Sequence, residues 1–142
     1  MDLHETAASR LVAHGQRYTG NRRVIVQLLE GSDVPLSVPE VRDADPELPQ
    51  SSVYRNLSVL EEAGVVRRIV AGGDFARYEL AEDLTEHHHH LICSSCGSVE
   101  DFTVPASLER SLGRAMAQME GERGFAATTH RLDLMGSCES CQ

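Results

Sequence analysis

The sequence predicts an α+β protein in two units: a winged helix-turn-helix over residues 1–80 and a smaller α/β unit over residues 87–142, joined by a hinge at residues 81–86. Three observations carry this. Four capped, amphipathic helical segments fill the first 64 residues, and two short β-type runs follow around Gly72-Gly73. Beyond an acidic stretch the pattern changes to strands flanking one long helix.

Leu3, Ala7 and Leu11 recur every four residues and Gly15 can take a left-handed cap, so a first helix should end near His14. Thr19 is a good N-cap for a second helix with Val24, Ile25, Leu28 and Leu29 on its apolar stripe, closed by Gly31. Ser37-Val-Pro-Glu40 is a capping box with proline in the first turn; it opens a short third helix that ends before Pro46. Ser51 or Ser52 is expected to cap a fourth helix that buries Val53, Leu57 and Leu60 and stops at Gly64. The runs 65–70 and 75–80, with a turn at 71–74, form a hairpin. In a winged helix-turn-helix the fourth helix enters the DNA major groove and the hairpin flanks it.

Residues 81–86 are polar and acidic and read as a hinge. Strands are expected at 89–93, 99–102 and 125–135, with a helix between the last two. That helix carries Leu108, Leu112, Ala115, Met116 and Met119 on one face. Core packing is the simplest reading of the stripe, and a dimer interface is the other.

The formal charge of −9 excludes a generic nucleic-acid coating protein, because neutralising phosphates needs a local excess of cations. Residues 1–80 hold nine Arg against twelve acids and residues 81–142 four against ten, so the first half is less hostile to DNA. Every basic side chain is Arg, which suits bidentate phosphate and guanine contacts, although a GC-rich genome gives the same bias. No apolar run of membrane length and no leader pattern occurs. A soluble, cytoplasmic chain is expected.

Four cysteines form two CxxC pairs, Cys93/Cys96 and Cys138/Cys141, with 41 residues between them. Without a secretory signal this spacing reads as a closed tetrahedral zinc site before it reads as disulfides. Such a site leaves no open coordination position, so catalysis there is not expected. His87-His88-His89-His90 is the second signal. In an extended segment alternate side chains face opposite ways, so His88 and His90 would serve one site and His87 and His89 another. Imidazole suits Zn(II), Fe(II), Ni(II) and Cu(II), and added carboxylates shift the preference toward harder ions. Glu79, Asp101, Glu109 and His130 are candidates to complete the two sites. Enzyme patterns are missing: His4-Glu5 is followed by Thr-Ala-Ala rather than H-E-x-x-H, and no phosphate loop, G-x-S-x-G or deaminase H-x-E occurs. A metal buffer or zinc-stapled redox module would explain the His and Cys clusters without the helical half, and a metal-dependent hydrolase is the third reading.

The stretch His87 to Gly97, the closing Cys138-x-x-Cys141, Ser52-Val-Tyr-Arg-Asn-Leu57 and Arg17-Tyr-Thr-Gly-Asn-Arg22 together resemble the ferric uptake regulator (Fur) family, in the family's order and over nearly the whole chain. The resemblance implies a homodimeric repressor that binds AT-rich palindromic double-stranded DNA when loaded with metal, with no organic small-molecule substrate. It implies that Tyr54 and Arg55, within the motif that includes Ser52 and Asn56, contact bases and phosphates, and that Arg17 approaches the minor groove. It assigns Cys93, Cys96, Cys138 and Cys141 to structural Zn(II). Glu79, His88, His90 and Asp101 would form a regulatory site at the hinge, and His87, His89, Glu109 and His130 a site in the dimerisation half. Pro35 stands where many relatives place a further His ligand, and the spacer after Glu79 is about two residues longer than the family's. With no Cys in the His-run sites, the resemblance favours Fe(II) as the regulatory ion, with Zn(II), Mn(II), Ni(II) or a peroxide-sensing Fe(II) site as alternatives.

Overall fold

The structure, a computed structural model, describes residues 2–70 and 76–142. The turn expected at 71–74, and Phe75, lie outside the described residues. The N-terminal half runs α1 (Leu3–Ala13), α2 (Gly20–Glu30), β1 (Leu36–Ser37), α3 (Val38–Ala44), α4 (Gln50–Glu62), β2 (Val66–Val70) and β3 (Ala76–Leu80). A short 3-10 turn, Glu82–Leu84, leads to β4 (His89–Cys93), β5 (Val99–Phe102), α5 (Ala106–Arg123) and β6 (Asp133–Gly136). A second 3-10 turn, Glu139–Cys141, closes the chain.

Local chemistry sets most boundaries. The Thr19 hydroxyl accepts the Arg22 amide, and Ser37 and Glu40 form the reciprocal capping box, each worth about 1 kcal/mol. Gly64 takes φ of +78° after α4, a conformation that L side chains rarely adopt. The fourth helix departs from expectation: its cap lies two or three residues earlier, at Pro49, with no side-chain cap bond. Proline's fixed φ already suits a helix start, so neither Ser51 nor Ser52 is needed there.

Helices α1 to α4 and the β2–β3 hairpin enclose the main core, in which Leu11, Ile25, Val26, Val41, Val53, Leu57 and Leu60 are fully buried. Strand β3 lies between β1 and β2 and is antiparallel to both, which is the three-stranded wing of a winged helix. Two residues of β1 are too short a run to leave a sequence pattern. In the second sheet β4 is central, antiparallel to β5 and parallel to β6. The strand expected at 125–135 is realised only as β6. Beyond the bond from the His90 amide to the Leu132 carbonyl, β4 has ended and offers residues 125–131 no partner.

The α5 stripe corrects the core-packing reading. No residue of α5 is buried, Leu108 and Met119 are each about 40% exposed, and Phe125, Leu134 and Met135 are more so. One chain leaves this apolar surface uncovered, and Fur-family regulators are dimeric.

The segment between the halves is engaged rather than free. Leu84 packs on the N-terminal core, and Asp83 pairs with Arg10, which also donates to the Gly64 carbonyl at 2.7 Å. Across the seam Ile69 buries against Ile92 and Val99. Arg77 on β3 pairs with Glu40 and donates to the Gly97 carbonyl at 2.9 Å, tying α3 to the CxxC turn.

Candidate metal centres

Three groups of side chains each bring their ligand atoms within 4.8 Å of one another. They are the three groups proposed from the sequence.

The four cysteines, all free thiols, meet where β4 ends. The parallel register sets Cys93 opposite Gly136, and the Ser94 amide bonds the Gly136 carbonyl at 2.8 Å, delivering the C-terminal turn to the first CxxC. Gly97, at φ +77°, closes that CxxC turn. The backbone N–H groups of Cys138 and Cys96 point at Cys93 Sγ from 3.4 and 3.5 Å. They hold the Cys93 thiol down at about 5, whereas the crowd of sulfurs around Cys141, Cys138 foremost, pushes it up to about 12. Four thiolates cannot share one place unless a cation joins them, and a soft tetrahedral dication answers that need.

The second group links the halves. Glu79, at the buried end of β3, reaches across to the His run: His88 Nε2 lies 2.9 Å from its Oε2 and His90 Nε2 3.0 Å from its Oε1. Asp101 faces His90 through the β4–β5 register, yet its oxygens stand 3.6 and 3.7 Å from the imidazoles, too far to bond. Asp101 Oδ1 is buried and has no hydrogen-bond partner. Such an oxygen, among two imidazoles and a second carboxylate, suits a divalent ion. Burial alone would raise the Glu79 carboxyl, but hydrogen bonds from His90 and His88 and the Arg67 charge outweigh it and hold it at about 2. Asp101 is raised, by burial first and by the Glu79 charge. Burial works against a protonated His88, but the Glu86 carbonyl and the Glu79 carboxylate raise its pKa. His88 Nδ1 sits 2.8 Å from that carbonyl, so in the neutral ring the proton can stay on Nδ1, and Nε2, which donates to Glu79 only in the protonated ring, can serve as a ligand atom. Pro35, fully buried, offers no side-chain donor.

The third group lies on the opposite face of the run, as the alternation requires. His89 Nε2 is 2.6 Å from Glu109 Oε1 and His130 Nε2 is 2.9 Å from Glu109 Oε2; His87 Nε2 is 3.2 Å from His130 Nε2. The bond from His89 leads the causes that lower the Glu109 carboxyl. Here α5 and the 124–132 segment meet the start of β4, so this group holds α5 to the sheet.

Four neighbours escaped the sequence. Arg67 donates to Glu79 Oε1 at 2.6 Å, Asp133 Oδ1 lies 3.4 Å from His90 Nδ1, Glu82 pairs with His87 Nδ1, and Met116 Sδ is 3.4 Å from His130 Nδ1. Cross-strand register could have found Arg67; the others depend on tertiary placement.

The expected DNA-contact residues divide. Tyr54 is half exposed, and Arg55 and Arg17 are exposed. Ser52 and Asn56 are buried and correct the expectation: Asn56 Nδ2 donates to Ser52 Oγ, and Asn56 Oδ1 accepts from Arg22 Nε at 3.0 Å. Arg22 in turn donates to the Arg17 carbonyl at 2.8 Å. The pair therefore faces the helix interior and fixes the loop that carries Arg17, while Tyr54 and Arg55 alone in the motif point outward.

The family model of the ferric uptake regulator family matches residues 13–135. The chain is 37% identical over 133 residues to the ferric uptake regulation protein of Campylobacter jejuni, covering 89% of this chain and 80% of that one. It is 32% identical over 145 residues to the peroxide-responsive repressor PerR of Staphylococcus aureus, covering 99% and 92%. The Helicobacter pylori ferric uptake regulator, a structure described as having three functional metal-binding sites, superposes with a TM-score of 0.72 at 27% identity over 97% of this chain and 93% of that one. With its wing, its His run and its paired CxxC turns, the chain belongs to the ferric uptake regulator family, whose members are metal-responsive regulators of transcription.

Proposed function

We propose that this chain is an iron-responsive repressor with three parts: a DNA-binding half (residues 1–80), a hinge (81–86) and a dimerisation and metal-binding half (87–142). It acts in the cytoplasm as a homodimer on an AT-rich palindromic operator. One observation carries the reading: Glu79, on the wing, and His88, His90 and Asp101, beyond the hinge, converge on a single point. Two carboxylates, two imidazoles and no sulfur form a donor set that suits Fe(II) or Mn(II) better than a dedicated zinc site would. The four cysteines would hold structural Zn(II). His87, His89, Glu109 and His130 would hold a further ion that fastens α5 to the sheet.

The regulatory ion would supply a positive charge that Glu79 and Asp101 both bind, fixing the wing against the second half. That favours one spacing of the two recognition helices in the dimer, the spacing that fits two operator half-sites. Tyr54 would then pack on thymine methyl groups and Arg55 and Arg17 would bind backbone or groove edges.

The test is DNA-binding anisotropy with Fe(II) under anaerobic conditions, Mn(II), Zn(II) and Ni(II), at fixed salt, for wild type and the His88→Ala/His90→Ala variant. Binding that Fe(II) induces near its cellular availability, and that the double variant loses while staying dimeric and zinc-loaded, supports the reading. Metal dependence unchanged in the variant rejects it. A peroxide-sensing role is the second reading, favoured by an alignment with PerR that spans 99% of the chain. It requires that peroxide add one oxygen to a peptide containing His88 or His90 in the Fe(II)-loaded protein.

A further inference from the structure

Arg67 is the one permanently charged cation in contact with Glu79 among the described residues, and it lies within the site instead of at its rim. Antiparallel register sets Arg67 on β2 directly across from Glu79 on β3, and Arg67 Nε donates to Glu79 Oε1 at 2.6 Å. The Arg67 side chain is 19% exposed and that of Glu79 10%, so bulk salt screens the pair weakly. His90 Nε2 bears on the same oxygen from 3.0 Å. An ion bound here would therefore share its carboxylate with a permanently charged guanidinium.

We propose that Arg67 sets the sensing threshold: it is a resident cation that neutralises Glu79 in the metal-free protein and weakens every divalent ion at the Glu79–His88–His90–Asp101 site. This rests on the reading of that group as the regulatory centre. Arg67 has two opposed influences. By holding Glu79 in one rotamer it favours binding, and by its charge it opposes it. The rotamer contribution is that of ordering one short side chain, whereas the charge acts on a dication through a shared, little-hydrated carboxylate, so repulsion wins. Charge compensation agrees. Glu79 and Asp101 already balance a dication, which leaves the Arg67 charge in surplus. Glu82 also feels the Arg67 charge but is engaged by His87 and by the Thr129 hydroxyl, and Asp133 at His90 Nδ1 is itself 3.5 Å from Arg131. A point charge does not distinguish ions of equal valence, so Arg67 shifts affinity for all of them together and leaves selectivity to the donor set.

The experiment uses the full-length, zinc-loaded protein and measures Mn(II) and Co(II) affinity by equilibrium dialysis for wild type, Arg67→Met and Arg67→Lys, with His88→Ala/His90→Ala to identify the site. Arg67→Met should bind both ions at least about tenfold more tightly, by the same factor for each, and should need correspondingly less metal to bind DNA. Arg67→Lys keeps the charge and should stay within about threefold of wild type. Thermal unfolding gives a second readout. Without metal, Arg67→Met should melt below wild type, because Glu79 loses its partner, and its metal-induced rise in Tm should be larger. Equal or weaker binding by Arg67→Met would overturn the proposal and make Arg67 a positioning residue. Should Arg67→Met not fold, Arg67→Gln replaces it on the same criteria. If wild type binds no metal that the double histidine variant loses, the regulatory reading fails along with the threshold, and that result is distinct from a site that binds metal with unaltered affinity.

Discussion

If the four cysteines hold zinc, as proposed, its loss should unfold the C-terminal half and leave the N-terminal half standing. The reason is the distribution of apolar burial. Among the described residues the N-terminal core contains sixteen buried ones, whereas the second cluster has three, Ile69, Ile92 and Val99, and Ile69 belongs to the wing. At about 1.5–3 kcal/mol for each buried aliphatic side chain, that cluster contributes roughly 5–9 kcal/mol. A structural zinc contributes about 10–16 kcal/mol at neutral pH. A zinc held by the four cysteines would therefore outweigh the apolar core beside it, and α5 adds no buried residue to make up the difference. Cys138→Ser is the perturbation, because Cys138 supplies both a sulfur and the amide that bonds Cys93 Sγ. Hydrogen exchange followed by mass spectrometry is the assay. Protection should vanish at the Ser94 amide, bonded to Gly136, and at the Cys93 amide, bonded to Ser98, and persist at the Val53 amide in α4. Sedimentation should show dimer lost together with zinc. A zinc-free variant that still protects Ser94 and still sediments as a dimer would refute the reasoning.

Two further outcomes follow from charge and from burial. In chelator-treated protein, Glu79 falls from an ordinary 4.5 to about 2, so its contribution of about 3 kcal/mol is complete above pH 4.5 and lost as pH falls toward 2. His88 is raised, so its contribution is present below 6.5 and lost as pH rises through its higher folded value. Urea unfolding should therefore show a stability maximum in the mildly acidic range, and Glu79→Gln should remove the acid limb and shrink the other, which the Glu86 carbonyl also sustains. Tyr54→Ala should weaken operator binding about ten- to hundredfold with Tm unchanged. Asn56→Ala should cost about 2 kcal/mol of stability, because Arg22 Nε loses its acceptor. Measuring both Tm and Kd for the two variants separates a contacting residue from a supporting one.

What could be read from the sequence was what local chemistry determines. Thr19 and the Ser37–Glu40 box define helix starts because their bonds close within three residues. The His run divides between two groups because extended backbone alternates faces whatever surrounds it, and the spacing of the two CxxC pairs marked them as one candidate cluster, which the β4–β6 register brings together. The Ser52 error has the opposite origin. Serine can cap a helix from just before it or bond within it, and the choice was made by Pro49 upstream and by Asn56 one turn on. Asn56 itself could not be assigned, since a motif gives identity but not direction, and Arg22 comes from a different helix. Arg67 was overlooked although the register of the two β runs, once paired, sets it opposite Glu79. The α5 stripe was misread because helical periodicity is the same whether its cover lies in the same chain or in a second one.

The two histidine groups then differ in what they can couple. His87 and His89 draw their partners, Glu109 and His130, from the second half, with Glu82 of the hinge touching His87 from behind. Occupancy there would stiffen α5, the surface left open for a dimer partner. His88 and His90 meet Glu79 from the wing, so an ion between them would span the two halves. Linkage makes that difference measurable: operator DNA must tighten the ion that spans the halves by the same factor that the ion tightens DNA. An ion confined to the second half carries no such obligation beyond its share in dimerisation. Arg67 sits on the spanning side of this division, so a threshold set there would adjust the site that, under the proposed reading, couples metal to DNA.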